Sequence, residues 1–268
     1  MTAFDDSAHR TRELAKPLLV SARKAELLRA LKDNQLGLAY QPIYRLSTGH
    51  MTKIEALLRW RSPVFGQVPP DRFVFWMEEL GLIEEVGEWV LERVCAQACT
   101  WNRGADRVKV SFNVSPRQLE SGRFSHVLKQ CLQRTGCNPA WLELELTERC
   151  LAQDLYHVRQ ELSEIRALGL TVAMDDFGSG YSSLNQLAEL PVQSIKIDRA
   201  MVTGACGDHR RSAIVSAVIR LCGVLGLGVT AEGVETAHDV AYLREFEPID
   251  VQGFFFGRPG PANAVLLL

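Results

Sequence analysis

Leu170-Thr171-Val172-Ala173-Met174-Asp175-Asp176-Phe177-Gly178-Ser179-Gly180-Tyr181-Ser182-Ser183 is the stretch on which the fold is decided. Leu170 to Met174 reads as a short buried strand, two adjacent aspartates stand at its end, and a Gly-Ser-Gly turn follows. Carboxylates side by side repel unless one keeps its proton or a cation sits between them. At a strand end the first can point into a pocket while the second sits on the loop and turns to meet it. Two oxygen-ligated divalent ions about 4 Å apart, sharing one carboxylate, suit that geometry. The bland alternative is a solvated acidic turn, so the rest of the chain has to supply further ligands.

The totals leave room for such a site and exclude others. At 268 residues, with 47% apolar and 23% charged side chains, the composition is that of a soluble globular protein with a substantial core. A net charge of −2 argues against broad electrostatic capture of nucleic acid or of an anionic membrane. The seven cysteines have no Cys-x-x-Cys spacing and read as reduced, mostly buried thiols of a cytosolic protein, with Cys95 and Cys99 on one helix face. The six histidines are dispersed, which speaks against zinc. No signal peptide and no apolar run of bilayer length is apparent.

Working outward, strand-like runs recur near 38–45, 52–59, 108–113, 141–146, 170–175, 194–197, 228–232 and 250–255. Helical stretches such as 82–102, 123–135, 151–168, 208–226 and 236–246 lie between them from the second strand onward. Eight strands alternating with helices predict a (β/α)8 barrel over residues 36–268, preceded by a helical lead-in or linker over 1–35 that Pro17 divides. Only Leu46-Ser47-Thr48-Gly49-His50-Met51 separates strands one and two. A parallel crossover needs a dozen residues or more, so the first strand is expected antiparallel to the rest.

Alternation along each strand then sorts the side chains. The polar parity holds Glu55 and Arg59; Lys109, Ser111 and Asn113; Glu143 and Glu145; Asp175; Ser194, Lys196 and Asp198; Thr230 and Glu232; and Asp250, Gln252 and Phe254. Its last members gather at the C-terminal mouth, where such barrels place their chemistry. Glu55, Asn113, Glu145, Asp175, Asp176 and Glu232 form a candidate ring of oxygen ligands for hard ions such as Mg2+ or Mn2+. Lys196 is the lysine among these mouth positions, placed to position a nucleophilic water or hold its proton balance. Each has a dull alternative: Glu55 paired with Arg59, Asn113 capping the helix begun by Pro116, Glu145 on the surface. Glu143, deeper in its strand, is expected in a structural ion pair with Lys109.

Taken together, these residues resemble the EAL-domain family. The likeness is carried in order by Tyr40-Gln41-Pro42-Ile43, Glu55-Ala56-Leu57-Leu58-Arg59, Phe112-Asn113-Val114-Ser115-Pro116-Arg117-Gln118-Leu119 and Glu145-Leu146-Thr147-Glu148. It continues through Asp175-Asp176-Phe177-Gly178-Ser179-Gly180-Tyr181-Ser182-Ser183-Leu184, Lys196-Ile197-Asp198-Arg199, Ala231-Glu232-Gly233-Val234-Glu235-Thr236 and Gln252-Gly253-Phe254-Phe255-Phe256-Gly257-Arg258-Pro259. Phe254-Phe255 stands where Tyr-Leu is more usual. Phe246-Glu247-Pro248-Ile249 and Ala200-Met201 also depart from the common pattern, and no metal position is lost.

The resemblance implies a (β/α)8 barrel with one reversed strand, and a bacterial phosphodiesterase that linearises cyclic di-GMP to pGpG. It implies Glu55, Asn113, Glu145 and Asp175 as ligands of one Mg2+ or Mn2+, with Asp175 bridging to a second ion near Asp176 and Glu232 completing the cluster. By the same token Lys196 contacts the attacking water, and Gln41, Arg59, Asp198 and Gln252 lie near the substrate or metal-bound water. Glu148 anchors the loop after the paired aspartates, and a homodimer forms through that loop. Ca2+ is expected to inhibit. The implied setting is cytoplasmic, in an isolated domain or in the cytoplasmic part of a larger membrane-anchored signalling protein. The competing reading is a catalytically silent EAL domain that senses cyclic di-GMP. Such domains usually lose a ligand, and here all are present.

Overall fold

Strand β1 (Leu36–Arg45) turns back into β2 (Met51–Ser62) through a short loop, where the Arg45 amide donates to the His50 carbonyl at 2.8 Å. The structure, a computed structural model, describes residues 21, 23–104, 107–147, 155–179, 187 and 189–265. The expectations that fall on the lead-in before residue 21, on Glu148, and on Gly180 to Leu184 lie outside the described residues. The remaining strands are β3 (Gly66–Val68), β4 (Lys109–Asn113), β5 (Leu142–Thr147), β6 (Thr171–Phe177), β7 (Ser194–Ile197), β8 (Gly228–Ala231) and β9 (Asp250–Val251).

Their order is β1-β9-β8-β7-β6-β5-β4-β2-β3, and β1 also pairs with β2. Eight strands therefore close on themselves, with β3 added outside the ring as an antiparallel partner of β2. Every pair from β2 and β4 round to β8 and β9 is parallel, whereas β1 meets β9 antiparallel. The reversed first strand expected from the six-residue connection is thus present. Strand β9 is shorter than expected: it ends at Val251, and Phe254 is turned outward and 45% exposed. The cause is a close backbone approach at Gly253. A Cβ there would overlap the Val234 carbonyl, so the chain leaves the strand direction at that glycine.

The fold comprises two units. The larger holds Leu38–Leu57 and Gly87–Leu268, and contains the barrel interior. Its outward-facing strand residues are the apolar parity. Leu142, Leu144 and Leu146 have no exposed area, and each contributes roughly 2 kcal/mol by burial. They meet helices whose own apolar residues recur every three or four positions, including Leu91, Val94, Cys95 and Ala98 in Ile83–Trp101, and Val158, Leu162 and Ile165 in Leu155–Ala167. Inward lie Ser111, Glu143, Glu145, Lys196 and Thr230, all buried. Glu143 takes Lys53, with Nζ at 2.6 Å, and the Thr171 hydroxyl at 3.1 Å; Lys109 donates to that same hydroxyl at 3.0 Å. The structural ion pair expected for Glu143 therefore exists with Lys53, and Lys109 stands one link away. Lys53 sits directly beside Lys109 in the β2–β4 register; Lys53 takes the Glu143 carboxylate, and Lys109 takes the Thr171 hydroxyl that donates to it.

The smaller unit comprises the residues up to Gly37 and Leu58–Val86. Trp60 is its centre, with Phe73 and Trp76 meeting it edge-on at 5.9 and 6.3 Å. The helix over 23–32 buries Leu27 and Ala30, and Ser62 Oγ donates to Glu26 Oε1 at 2.9 Å. Helix Pro70–Glu79 was not expected from the sequence, although Pro70 at its first turn, Asp71 and the Phe73, Trp76, Met77 spacing are its signal.

Gly253→Ala is expected to destabilise the protein by about 1–3 kcal/mol, as overpacking against main chain does. Thermal unfolding of the variant measures this, and an unchanged midpoint would contradict the close approach.

Candidate metal centre

Strand β6 carries the device that brings Asp175 and Asp176 to one place. Successive strand residues ordinarily face opposite sides. Here Met174 pairs with Ile195 and Phe177 with Ile197, so three steps on β6 match two on β7. The extra residue is a bulge, and Asp175 and Asp176 together stand opposite Lys196. Asp176 adopts a left-handed backbone with φ 55°, a conformation that costs a non-glycine residue roughly 1–2 kcal/mol. Its amide donates to Asp175 Oδ1 at 2.9 Å, and Gly178, at φ 93°, carries the chain away.

Lys196 Nζ is the hub. It lies 2.7 Å from Glu232 Oε1, 2.9 Å from Glu145 Oε2, 3.2 Å from Glu55 Oε2 and 3.4 Å from Asp175 Oδ1, and its side chain is 2% exposed. The parallel register from β2 through β4 to β5 sets Glu55 beside Ser111, and Asn113 beside Glu145, which is how residues distant in sequence reach one ammonium. Asn113 Nδ2 lies 3.0 Å from Glu55 Oε1 and 3.5 Å from Glu145 Oε2. Glu55 is fixed from behind by Gln252, whose Nε2 donates at 2.7 Å to Oε2; Gln252 also reaches Gln41 Oε1 at 3.2 Å. Gln41 in turn donates to the Gly257 carbonyl at 3.0 Å. Main-chain acceptors such as Gly257 leave no mark in a side-chain pattern, so this buttress was not readable beforehand.

The charge balance is lopsided. Burial alone would push Lys196 down, yet Asp175, Glu145, Glu232 and Glu55 together hold it well above the usual lysine range. Burial also opposes the charge of Glu55, but Lys196 and the bonds from Gln252 and Asn113 hold its carboxyl below the usual range. The other carboxyls go the opposite way. Burial, then the charge of Glu55, pushes Glu145 well up; burial raises Asp175; and burial lifts Glu232 to about 8. Asp176 rises to about 6 through burial, then Asp175 and Asp198. Two like charges about 4 Å apart repel by roughly 4 kcal/mol at an effective dielectric of 20. One ammonium cannot offset five such groups.

The residues fit divalent ions. Oxygens of Glu55, Glu145 and Asp175 lie within 4.8 Å of one another, as do those of Asp175, Asp176 and Glu232, so Asp175 belongs to both sets. Glu145 Oε1 is buried without a hydrogen-bond partner, an acceptor left over for a cation. Turning the Asn113 amide over would present its oxygen to the same space. Five carboxylates and one ammonium leave a formal charge of −4, which two divalent ions would neutralise.

A family model described as the EAL domain matches residues 24–259. The chain belongs to the EAL-domain family. Among its relatives, the cyclic di-GMP phosphodiesterase NbdA of Pseudomonas aeruginosa is 38% identical over 241 residues, covering 90% of this EAL domain and 31% of that protein. The cyclic di-GMP phosphodiesterase PdeR of Escherichia coli is 37% identical over 238 residues, covering 89% and 36%. The chain thus spans about a third of the length of these curated relatives. Among solved structures, that of the PaMucR phosphodiesterase in complex with c-di-GMP superposes with a TM-score of 0.85 at 36% identity, covering 91% of this domain and 99% of that chain.

Of the site residues expected in this EAL domain, Glu55, Asn113, Glu145, Asp175, Asp176, Lys196 and Glu232 converge, with Gln41 and Gln252 behind Glu55. Asp198 faces Asp176 and accepts from the Ala200 amide at 2.7 Å, capping the helix Arg199–Val202. Arg59 lies in the smaller unit, where it lines a cleft of about 620 Å³ with Gln35, Trp60, Arg61 and Gln67. The dull alternatives for Asn113 and Glu145 fail. Ser115, in a capping box with Gln118, caps the helix Pro116–Glu120, and Glu145 has no exposed area.

A pH dependence follows. Carboxyls raised above their unfolded values stabilise the ion-free fold at low pH, and that stability is lost as pH rises through the folded values of about 6 for Asp176 and about 8 for Glu232. A divalent ion displaces those protons, so the melting-temperature gain on adding Mg2+ is expected to grow between pH 6 and 8.5. Thermal scans with Mg2+ or EDTA across that range test it, and a pH-independent gain would contradict it.

Proposed function

We propose that this EAL domain hydrolyses one phosphodiester bond of cyclic di-GMP to give linear pGpG, in bacterial second-messenger signalling. The observation that carries the reading is the convergence of two carboxylate sets that share Asp175 around the single ammonium of Lys196. The names of NbdA and PdeR supply the substrate, and the c-di-GMP complex of the PaMucR phosphodiesterase supports it. We take Glu55, Asn113, Glu145 and Asp175 as ligands of one Mg2+ or Mn2+, and Asp175, Asp176 and Glu232 as those of a second. Ca2+, larger and tolerant of irregular geometry, is expected to inhibit. When bound, such ions supply a water of lowered pKa and draw charge from the phosphoryl oxygen.

The chain's own groups have separate tasks in this reading. Lys196 Nζ, held by four carboxylates, orients the attacking water and keeps its proton inventory, because its own proton is retained far above neutral pH. Gln252 and Gln41 lock the Glu55 carboxylate, so that the ligand does not reorganise during the reaction. Arg59 offers a fork of donors for a phosphate oxygen. Asp198 aligns Asp176, and Glu148 anchors the loop after the paired aspartates. That loop is our candidate for a homodimer surface, and the setting we infer is cytoplasmic. Among the described residues no helix is long and apolar enough to cross a membrane.

The test is pGpG formation from cyclic di-GMP with Mg2+, Mn2+ or Ca2+. Lys196→Ala is expected to keep the Mn2+-induced thermal shift while turnover falls by about 10²-fold or more. Asp175→Asn is expected to lose both. Binding of cyclic di-GMP by the parent without any pGpG would contradict hydrolysis, and parental turnover in Lys196→Ala would remove the role given to that lysine.

A further inference from the structure

The ligands of the two ion sets are held in different ways. Glu55, Asn113 and Glu145 belong to strands, fixed by ladder pairing and, for Glu55, by Gln252. Asp175, shared by both sets, is paired to Thr147 in the β5–β6 ladder. Asp176 and Glu232 have less support of that kind. Asp176 sits in the left-handed bulge near the end of β6, and Glu232 lies one residue past the end of β8. Between these two turns β7 runs on into the helix Arg199–Val202. The Asp198 amide donates to the Phe177 carbonyl at 3.3 Å on one side, and the Glu232 amide donates to the Ile197 carbonyl at 3.1 Å on the other. Beyond those bonds the helix touches each turn at a glycine. A Cβ at Gly178 would run into the sulfur of Met201, with Met201 Cγ and Cε at 3.2 and 3.3 Å. One at Gly233 would run into Arg199 Cβ, with Arg199 Cα at 3.1 Å. These glycines stand two residues after Asp176 and directly after Glu232. The helix itself is anchored: Val202 is buried, and the Met201 and Thr203 amides donate to the Asp198 and Arg199 carbonyls at 3.0 and 2.8 Å.

We propose that the helix Arg199–Val202 is a clamp for the second ion, with Met201 as its positioning residue: packed on Gly178 and Gly233, the helix sets the spacing of Asp176 and Glu232. The inference rests on the two-ion reading given above and adds which part of the chain holds the second set together. The physical need is plain. Carboxylates brought to one place repel until an ion arrives, and a non-glycine residue in a left-handed backbone persists only where its surroundings hold it there. The two contacts differ in stiffness. Gly233 meets the Cα and Cβ of Arg199, which cannot turn aside, so the Glu232 turn has a fixed seat. Gly178 meets the far end of a methionine, a side chain that fills an irregular gap by adjusting its rotamers. The size and shape of residue 201 therefore decide where the Asp176 turn comes to rest. Ala200-Met201 is also where this chain departs from the common family pattern. Neither contact involves the strand-borne ligands Glu55, Asn113 and Glu145, so loosening the clamp acts on the second ion and spares the first.

The experiment titrates the full chain with Mn2+ and follows the free ion by electron paramagnetic resonance, which counts the bound ions and gives the affinity of each. The parent is expected to bind two. Met201→Ala is expected to weaken the second ion by about tenfold or more and to leave the first within about twofold, as loss of a group behind a metal ligand does. Met201→Leu, close to methionine in volume, is expected to restore the second ion. Gly233→Ala forces a Cβ against Arg199 and is expected to weaken the second ion in the same way; it decides by the same readout should Met201→Ala fail to fold. A merely structural role for Met201 would weaken both ions together as the melting temperature falls. That result, a parental second-ion affinity in Met201→Ala or in Gly233→Ala, or a Met201→Leu variant no better than Met201→Ala would each overturn the proposal. A parent that binds fewer than two Mn2+ would instead remove the two-ion reading, and this inference with it, before any variant is compared.

Discussion

A lysine ammonium sealed inside a barrel among four carboxylates is the constraint on which the rest of this molecule depends. Burying one ion pair is near break-even at best, because desolvation of both charges consumes the attraction between them. Burying one cation with several anions is worse, unless protons or other cations make up the difference. Here both occur: Glu232 and Asp176 are pushed toward neutrality, and the oxygens left over cluster tightly enough to hold ions. The site is therefore strained when ion-free, and the strain has a definite sign. It favours a divalent guest and disfavours a neutral or anionic one that brings no positive charge.

That arrangement needs a rigid frame, and the barrel supplies it. Parallel strands far apart in sequence bring Glu55, Asn113, Glu145 and Lys196 within hydrogen-bonding reach of one another, although the register sets Glu55 opposite Ser111 and Asn113 opposite Glu145. Further down, Lys53 and Glu143 close the interior with a balanced pair, so the excess negative charge is confined to the mouth. The β6 bulge and the left-handed Asp176 let two adjacent residues serve one site, which a regular strand forbids.

Much of this was legible beforehand, for physical reasons. Period-two alternation in Leu142-Glu143-Leu144-Glu145-Leu146 exposes which face is interior, and a six-residue connection cannot make a parallel crossover. Other features were not legible because they depend on neighbours. Whether Glu143 meets Lys53 or Lys109 is settled by register and side-chain reach, since both lysines are inward and adjacent. The early end of β9 follows from the approach of Val234 to Gly253, a contact between segments that no local pattern encodes. Helix Pro70–Glu79 was hidden by its length of ten residues and by the prolines around its start, which resemble loop punctuation.

The most direct measurement of the central claim is the position of bound Mn2+ by anomalous scattering from crystals grown with that ion. Two peaks per chain are predicted, one among Glu55, Asn113, Glu145 and Asp175 and the other among Asp175, Asp176 and Glu232. A cluster that binds no ion at saturating Mn2+, its carboxylates still gathered on Lys196 alone, would contradict the account.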